Sequence, residues 1–200
     1  MSDPSPPDST ESPQVAADLA GFAADLPVGP DATSAEHGVE LHPQCSMLAP
    51  LPGVWRGQGE AQYPSLLGEF PYGQQITFSH DGRPFLFYEA RAWLLNQSGE
   101  VLGPAAREVG WWRVDPDETI EVILAHAFGI CEIYYGGATS EVSWELQTDT
   151  VARSDSARET EAAARLYGIV EGDLAYVEER ALRGLPMQPH LSAQLQRISD

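Results

Sequence analysis

The chain has 200 residues, 42% of them hydrophobic, and a formal net charge of −19 at pH 7. This charge argues against a nucleic acid partner, whose phosphates would be repelled, and against anionic membrane surfaces. No apolar run approaches the ~18 residues that cross a bilayer, and two cysteines, Cys45 and Cys131, are too few for a disulfide scaffold. We therefore expect a soluble, cytoplasmic protein.

The N-terminal segment, which begins MSDPSPPDSTESPQ, differs in composition from the rest of the chain. Residues 1–52 carry eight acidic side chains and no Arg or Lys, and they are rich in Pro and Ser. Such a segment buries too little apolar surface to offset the entropy lost on ordering. It also lacks the basic and apolar regions of a secretory signal. The sequence predicts a disordered acidic tail over residues 1–40 and a folded domain over residues 41–200.

The stretch PLPGVWRGQGEAQY is typical of a strand but contains Gly53, Gly57 and Gly59 around Trp55. Glycine weakens a strand interior unless the backbone must bend sharply or approach something closely. Small residues near the start of a barrel strand allow both. A Gly-x-Trp near the first strand is typical of lipocalin-like barrels, in which the indole plugs one end. We expect Trp55 to pack in the core.

From Val54 onward, apolar and polar residues alternate with the period of β-strands. About nine such segments are rich in β-branched and aromatic residues, and turn signals such as DG, GG and DPD separate them. In TSEVSWELQT, for example, Trp144 and Leu146 share one face and Glu145 lies on the other. This order predicts an all-β, antiparallel up-and-down barrel of about ten strands. A two-sheet sandwich is the alternative.

The C-terminal segment has a different pattern. Leu191, Leu195 and Ile198 recur at near-helical spacing after Pro189, so we expect a short C-terminal helix. Glu178 and Glu179, just before this segment, are interpreted as a strand end that meets water.

Motifs along the chain occur in a characteristic order. They are GVWRGQGEAQYP, YGQQITFSHDGRPFLFYEARAW, REVGWWR, IEVILAHAFGICEIYYG and LAYVEERALRGLPMQPHLSAQLQR. This series resembles the nitrobindins, small β-barrels that hold haem b and whose ferric form isomerises peroxynitrite to nitrate. The resemblance covers about residues 48–198 and favours the actinobacterial branch of the family. It implies a peroxynitrite isomerase with one ferric haem b per chain, whose iron is also able to bind nitric oxide.

The resemblance also implies site residues. His190 matches the histidine that serves the family as proximal axial ligand of the iron, a role suited to a neutral imidazole. The other histidines are given no iron role: His37, His42, His80 and His126. Arg158 lies in a loop where relatives have a basic residue, and it is a candidate partner for a haem propionate. Ala106 stands where many relatives have a distal histidine.

Other interpretations remain open at this point. The same barrel is able to carry a fatty acid or another lipid without haem, using an Arg–Tyr pair inside; Arg91, Arg113 and Tyr88 are candidates. A family member that has lost haem is a further alternative. A barrel of this kind can also pair through an exposed face, so a homodimer is one expectation. Candidate pocket-lining residues are Trp93, Trp111, Trp112, Phe85, Phe87 and Phe128.

Overall fold

The structure, a computed structural model, describes residues 28–62 and 68–198. In these ranges a short 3₁₀ helix, Pro43–Leu48, precedes ten strands. The strands are β1 (Gly53–Gln62), β2 (Glu69–Ser79), β3 (Phe85–Leu95), β4 (Val101–Val114), β5 (Ile120–His126), β6 (Ile130–Ser140), β7 (Ser143–Arg153), β8 (Ala162–Val170), β9 (Asp173–Ala181) and β10 (Gln188–Arg197).

The ten strands form one closed antiparallel barrel in which each strand pairs with its neighbours in the sequence. The first and last strands close the ring, with Trp55 of β1 opposite Arg197 of β10. The predicted all-β, up-and-down barrel is confirmed, and the sandwich alternative is wrong. Closure leaves no unpaired sheet edge, which is how such barrels avoid edge-to-edge association.

The predicted C-terminal helix is wrong. Residues 188–197 form β10, in which Ala193 and Leu195 face the core and Gln194 and Gln196 face outward. The spacing of four residues between Leu191 and Leu195 satisfies a helical period and a strand period equally. The strand wins because β10 supplies the hydrogen-bonding partner that both β1 and β9 need.

The two ends of the barrel differ in what fills them. At one end, which we call the helix end, the 3₁₀ helix covers the barrel. Two buried indoles donate hydrogen bonds to backbone carbonyl oxygens in this helix or just after it. Trp144 Nε1 donates to the carbonyl oxygen of Met47 over 2.9 Å, and Trp55 Nε1 donates to that of Leu51 over 2.9 Å. The opposite end, where β1 ends at Gln62 and β10 begins, we call the far end.

The glycines of β1 allow β10 to approach closely. A Cβ atom on Gly57 would lie 2.2 Å from the carbonyl oxygen of Gln194, which is far inside contact distance. At Gly53 a Cβ would meet the guanidinium of Arg197, which lies 4.1 Å from the centre of the Trp55 ring. The glycine–tryptophan motif therefore serves the closure of the barrel at the β1–β10 seam.

The predicted tail over residues 1–40 falls mostly outside the described residues, since the structure describes the chain from residue 28. The residues from Asp31 onward belong to one compact unit with the barrel. Ala32 pairs with His80 as an isolated antiparallel bridge, and Ser79 Oγ donates to Asp31. His80 is buried in this contact. Among the described residues, no helix has the length and apolar character needed to cross a bilayer.

Candidate functional site

The interior of the barrel changes in character from the helix end to the far end. Bulky side chains fill the helix-end half, among them Trp55, Phe78, Trp112, Trp144 and Leu195. Toward the far end the inward positions of four strands are occupied by alanine: Ala61, Ala90, Ala163 and Ala193. Small inward residues leave room beside the backbone that large ones would fill. The far-end half is therefore where this barrel is suited to hold a ligand.

His190 lies in this far-end half, at an irregularity of β10. The register with β9 shifts between Pro189 and Leu191, so His190 is the extra residue of a β-bulge. Bulges re-aim a side chain relative to its strand. The His190 Nδ1 atom lies 3.0 Å from the carbonyl oxygen of Gln62, on β1. A carbonyl only accepts, so Nδ1 donates, and the neutral ring then carries its lone pair on Nε2.

The surroundings of His190 favour the neutral imidazole. Burial lowers the pKa of His190 below its ordinary value, and the positive charges of Arg180 and Arg165 lower it further. The carboxylate of Glu178 and the hydrogen bond to Gln62 act in the opposite direction but do not offset these effects. A neutral ring with a carbonyl on one nitrogen is the form of histidine that binds metals.

Next to His190 the barrel interior contains a group of buried charged side chains, which we call the ionic cluster. Its members are Glu108, Glu132, Glu178, Arg165 and Arg180, and each is 8% exposed or less. Arg165 Nη1 lies 2.9 Å from Glu108 Oε2, and Arg180 Nη1 lies 2.9 Å from Glu132 Oε1. Both arginines also contact Glu178. Three carboxylates and two guanidinium groups are thus held together inside the barrel.

His126 and two tyrosines extend the ionic cluster. The His126 Nε2 atom lies 2.7 Å from Glu132 Oε2, and its Nδ1 atom lies 3.7 Å from Glu108 Oε1. Tyr134 donates to Glu132 Oε2 over 2.7 Å, and Tyr88 donates to Glu108 over 3.4 Å. The interpretation of His126 as having no iron role stays a prediction; in the structure it joins two strands of the cluster.

The charges of the cluster keep its carboxyl groups ionised in spite of their burial. Burial raises the pKa of Glu132, but the hydrogen bond with His126 and the charges of Arg180 and Arg165 outweigh it and lower the pKa to about 2. The pKa of Glu178 is lowered for a similar reason, since Arg165 and Arg180 outweigh burial. Strongly perturbed carboxyl groups inside a binding barrel are typical of functional sites.

The predicted pocket lining is mostly wrong. Of the six aromatic candidates only Trp112 is fully buried, and it packs against Phe78 with 5.4 Å between ring centres. Trp111 and Phe128 are exposed. The others lie on outward positions of β3, namely Phe85, Phe87 and Trp93. Strict alternation along β4 places Trp112 inside and its neighbour Trp111 outside.

Two other predicted residues lie toward the same end as His190. Arg158 is exposed, in the loop between β7 and β8. Ala106 is half-buried on β4, two residues before Glu108 of the ionic cluster. The structure places Arg158 at the same end of the barrel as His190, and its pairing with a propionate stays a prediction.

Sequence reasoning missed the ionic cluster. The interpretation of Glu178 as a strand end that meets water is wrong, because this side chain is 1% exposed. Glu179, the next residue, does face solvent. The signal was present in LAYVEERAL: Leu174 and Tyr176 face inward, so alternation also places Glu178 and Arg180 inside. Charge indicates exposure for single carboxylates but not for paired ones.

Comparison with known families decides the membership of the chain. The family described as "THAP4-like, heme-binding beta-barrel domain" matches residues 44–197. The chain belongs to this family. The match spans the barrel from the 3₁₀ helix to the end of β10, and it confirms the resemblance found in the sequence.

Relatives with curated names cover most of the chain. A "Ferric nitrobindin-like protein" of Saccharopolyspora erythraea is 52% identical over 87% of this chain and 82% of that protein. A "Peroxynitrite isomerase 1" of Mycobacterium ulcerans is 47% identical over 88% of this chain and 94% of its own length. The crystal structure of Rv2717c from M. tuberculosis has 32% identity and a TM-score of 0.71, and covers 80% of this chain and 100% of that one.

The residues present fit the cofactor of the family. Haem needs an axial donor and room for a flat, largely apolar ring. His190 supplies a neutral imidazole whose Nδ1 is tied to a carbonyl, and the inward alanines of the far-end half supply small apolar walls. Thiolates do not compete as ligands in this part of the barrel: Cys45 lies in the 3₁₀ helix and Cys131 is exposed.

Proposed function

We propose that this protein binds one haem b per chain in the far-end half of the barrel, with His190 as axial ligand. We further propose that the ferric form isomerises peroxynitrite to nitrate. The observation that carries the site is the 3.0 Å contact between His190 Nδ1 and the carbonyl of Gln62. Support for the reaction comes from the relatives named peroxynitrite isomerase, which are 43–49% identical to this chain.

The protein contributes orientation and electrostatics to this chemistry. When bound, ferric haem supplies a Lewis-acidic iron with an exchangeable coordination position for the anion. Gln62 holds the His190 ring in one tautomer and one direction, so its other nitrogen is the donor to a metal. Ala90, Ala163 and Ala193 offer small apolar surface, and the carboxylates in the same half of the barrel are held by Arg165 and Arg180. Isomerisation leaves the composition of the anion unchanged, so the reaction requires no net proton transfer from the protein.

The site is tested by titrating the apoprotein with ferric haemin, beside His190→Ala and His42→Ala. We expect a Soret band that sharpens and shifts at one equivalent in the wild type and in His42→Ala, and that is weakened or lost in His190→Ala. His42 lies at the start of the 3₁₀ helix, at the other end of the barrel, and serves as the matched control. Equal, broad spectra for all three proteins would contradict the haem site and favour a family member that has lost haem.

Arg158 is proposed as a partner of a haem propionate. It is an exposed guanidinium in a loop at the end where His190 lies, and such groups pair with carboxylates at the mouth of a binding site. Arg158→Gln should weaken haemin binding by a few-fold, since an exposed ion pair contributes about 1 kcal/mol or less. Arg56→Gln, on β1, is the control with the same change of charge.

Nitric oxide binding is proposed at the same coordination position. It follows from haem binding, since the iron that accepts one small ligand is open to another. Addition of nitric oxide to the ferric and ferrous complexes should shift the Soret band, and the shift should be absent from His190→Ala if that variant holds no haem.

The lipid-carrier alternative is not favoured by the barrel interior. Arg91 and Arg113, its candidate cations, are exposed and pair with Glu89 and Glu121 on the outside. The arginines that do lie inside, Arg165 and Arg180, are matched by three carboxylates of the ionic cluster. A fatty-acid carboxylate entering the barrel would therefore meet paired cations. Organic extraction of purified protein should release no stoichiometric fatty acid.

A homodimer is proposed through the outer face of β3 to β6. Phe87, Trp111, Ile123 and Ile133 are successive cross-strand neighbours there, and Trp111 is 42% exposed. Three arginines lie on the same strands, β3 and β4 (Arg91, Arg107 and Arg113), and they offset the negative charges of Glu89 and Glu121 on this face. Light scattering should show a dimer for wild type and a monomer for Trp111→Glu.

A cytoplasmic location is proposed because both cysteines are free.

A further inference from the structure

Glu178 is the member of the ionic cluster that lies beside the proposed iron ligand. On β9 it pairs in register with Leu191 of β10, the residue directly after His190. On its other side it pairs in register with Arg165 of β8. His190 is the bulged residue between Pro189 and Leu191, so it lies opposite the Glu178–Glu179 step of β9. Glu178 thus connects the ionic cluster to the axial ligand.

One oxygen of Glu178 is held by an ion pair and not by a hydrogen bond. Arg165 Nη2 lies 2.9 Å from Glu178 Oε2, but the geometry of this ion pair does not make a hydrogen bond. Across residues 28–62 and 68–198, this buried oxygen accepts no hydrogen bond. The other oxygen is bonded to Arg180 Nε. Glu178 is therefore a buried carboxylate that two guanidinium groups hold in place.

The cluster is costly as a purely structural device. Replacing a buried ion network by apolar residues of similar volume is often neutral or stabilising for a protein. The helix-end half of this barrel shows that the fold packs well with bulky apolar side chains. Buried charges in the other half, next to the ligand site, therefore point to a role in the chemistry of that site.

We propose that Glu178 is a positioning residue that acts through His190 to stabilise the ferric state of the bound iron. This inference rests on the proposed haem site. Ferric haem carries one more positive charge than ferrous haem, so a fixed carboxylate beside the axial ligand stabilises the ferric form preferentially. Arg165 and Arg180 hold the carboxylate in place and keep it ionised. Glu178 thus favours the oxidation state that the proposed reaction uses.

The test is the reduction potential of the haem complex in Glu178→Gln, Arg180→Gln and Glu179→Gln. Glu178→Gln keeps the shape and removes the charge, so the ferrous-to-ferric ratio at a fixed potential should rise about tenfold, or about 59 mV for one electron. Arg180→Gln removes a positive charge from the same cluster and should shift the potential in the opposite direction. Glu179→Gln makes the same change of charge one residue away, on the outer surface, and should leave the potential unchanged.

The outcomes separate this inference from the proposed function. If wild-type protein forms no one-to-one complex with haemin, both are overturned. If the complex forms and Glu178→Gln has the wild-type potential, only the role of Glu178 is overturned. Loosened packing would shift the reduction potential in the same direction in Glu178→Gln and in Arg180→Gln. Shifts in the same direction therefore also overturn the role of Glu178. If Glu178→Gln binds no haem, the other two variants decide. A lower reduction potential in Arg180→Gln, with an unchanged potential in Glu179→Gln, supports the role of Glu178, and any other result overturns it.

Discussion

A Cβ atom on Gly59 would lie 2.0 Å from the carbonyl oxygen of Ser192, on the neighbouring strand of the barrel. It would also lie 2.9 Å from the Cβ of Ala193 and from the ring of Tyr72. Backbone cannot move aside as the end of a flexible side chain can. The seam between β1 and β10 therefore tolerates only glycine at this position, and the close approach explains a residue that otherwise weakens strands.

Gly59→Ala should accordingly destabilise the barrel. We expect a loss of about 1–3 kcal/mol, the usual cost of forcing extra atoms into a packed site. The control is Gly137→Ala on β6, where nothing lies within 4 Å of the added methyl group. That variant should be neutral or slightly more stable. Urea unfolding followed by tryptophan fluorescence measures both, and equal free energies of unfolding for the two variants would contradict the role of the seam.

Acid should weaken the fold through the ionic cluster. The pKa of Glu132 is about 2 in the folded chain against an ordinary value of 4.5. A carboxyl group with a lowered folded pKa contributes stability that is present above its unfolded pKa and is lost as the pH falls through the folded one. The window is therefore about pH 4.5 down to pH 2, and the contribution of Glu132 is about 3 kcal/mol.

Glu132→Gln tests this assignment. The variant should be less stable than wild type at pH 7 and should lose less stability than wild type between pH 4.5 and pH 2. The control, Glu145→Gln, changes an exposed acid on β7 and should follow the wild-type curve. Parallel pH profiles for Glu132→Gln and wild type would show that the acid sensitivity arises elsewhere.

A buried and an exposed arginine should differ sharply in their effect on stability. Arg165→Gln leaves Glu108 and Glu178 without their common partner inside the barrel, and removal of one side of a buried pair costs about 3–5 kcal/mol. Arg113→Gln removes an ion pair of 3.5 Å with Glu121, with the arginine 54% exposed. Such a pair contributes about 0–1 kcal/mol. Thermal unfolding of both variants, at matched protein concentration, compares their stabilities with that of the wild type. Similar losses of stability in the two variants would contradict the argument from burial.

The two cysteines should react at very different rates. Cys45 is fully buried in the 3₁₀ helix, and burial raises the pKa of its thiol, which suppresses the reactive thiolate. Cys131 is exposed on the outer face of β6. Iodoacetamide followed by peptide mass analysis should modify Cys131 first and Cys45 only as the helix end opens. Labelling of Cys45 at the rate of Cys131 in the native protein would show that this end is not closed.

Much of the fold could be predicted from the sequence, and each wrong prediction has an identifiable physical cause. Strand period, turn residues and the Gly53–Gly59 motif were sufficient for the barrel, because each is a local property. The C-terminal segment was misassigned because spacing of four residues between Leu191 and Leu195 fits both periods. The ionic cluster was missed because Glu178 and Arg180 resemble surface residues until their partners on other strands are known.

The same limit applies to the candidate site. The prediction of His190 rests on a motif resemblance, whereas nothing local indicates that its ring bonds to Gln62, on the first strand of the barrel. The direction of a side chain at a bulge depends on the register of two strands, which a single segment does not contain. Aromatic residues were assigned to the pocket by type, and alternation along β3 and β4 turned most of them outward.

The contact between His190 and Gln62 joins residues 128 positions apart. Such pairing comes late in folding, because the chain must close a long loop before any contact offsets the lost entropy. The proposed ligand site therefore does not exist in any partly folded or shortened chain that lacks the β1–β10 seam. With His190 as the proposed ligand, cofactor capture has to follow closure of the ring, so haem supplied during synthesis would meet this side chain in place only after the last strand has docked.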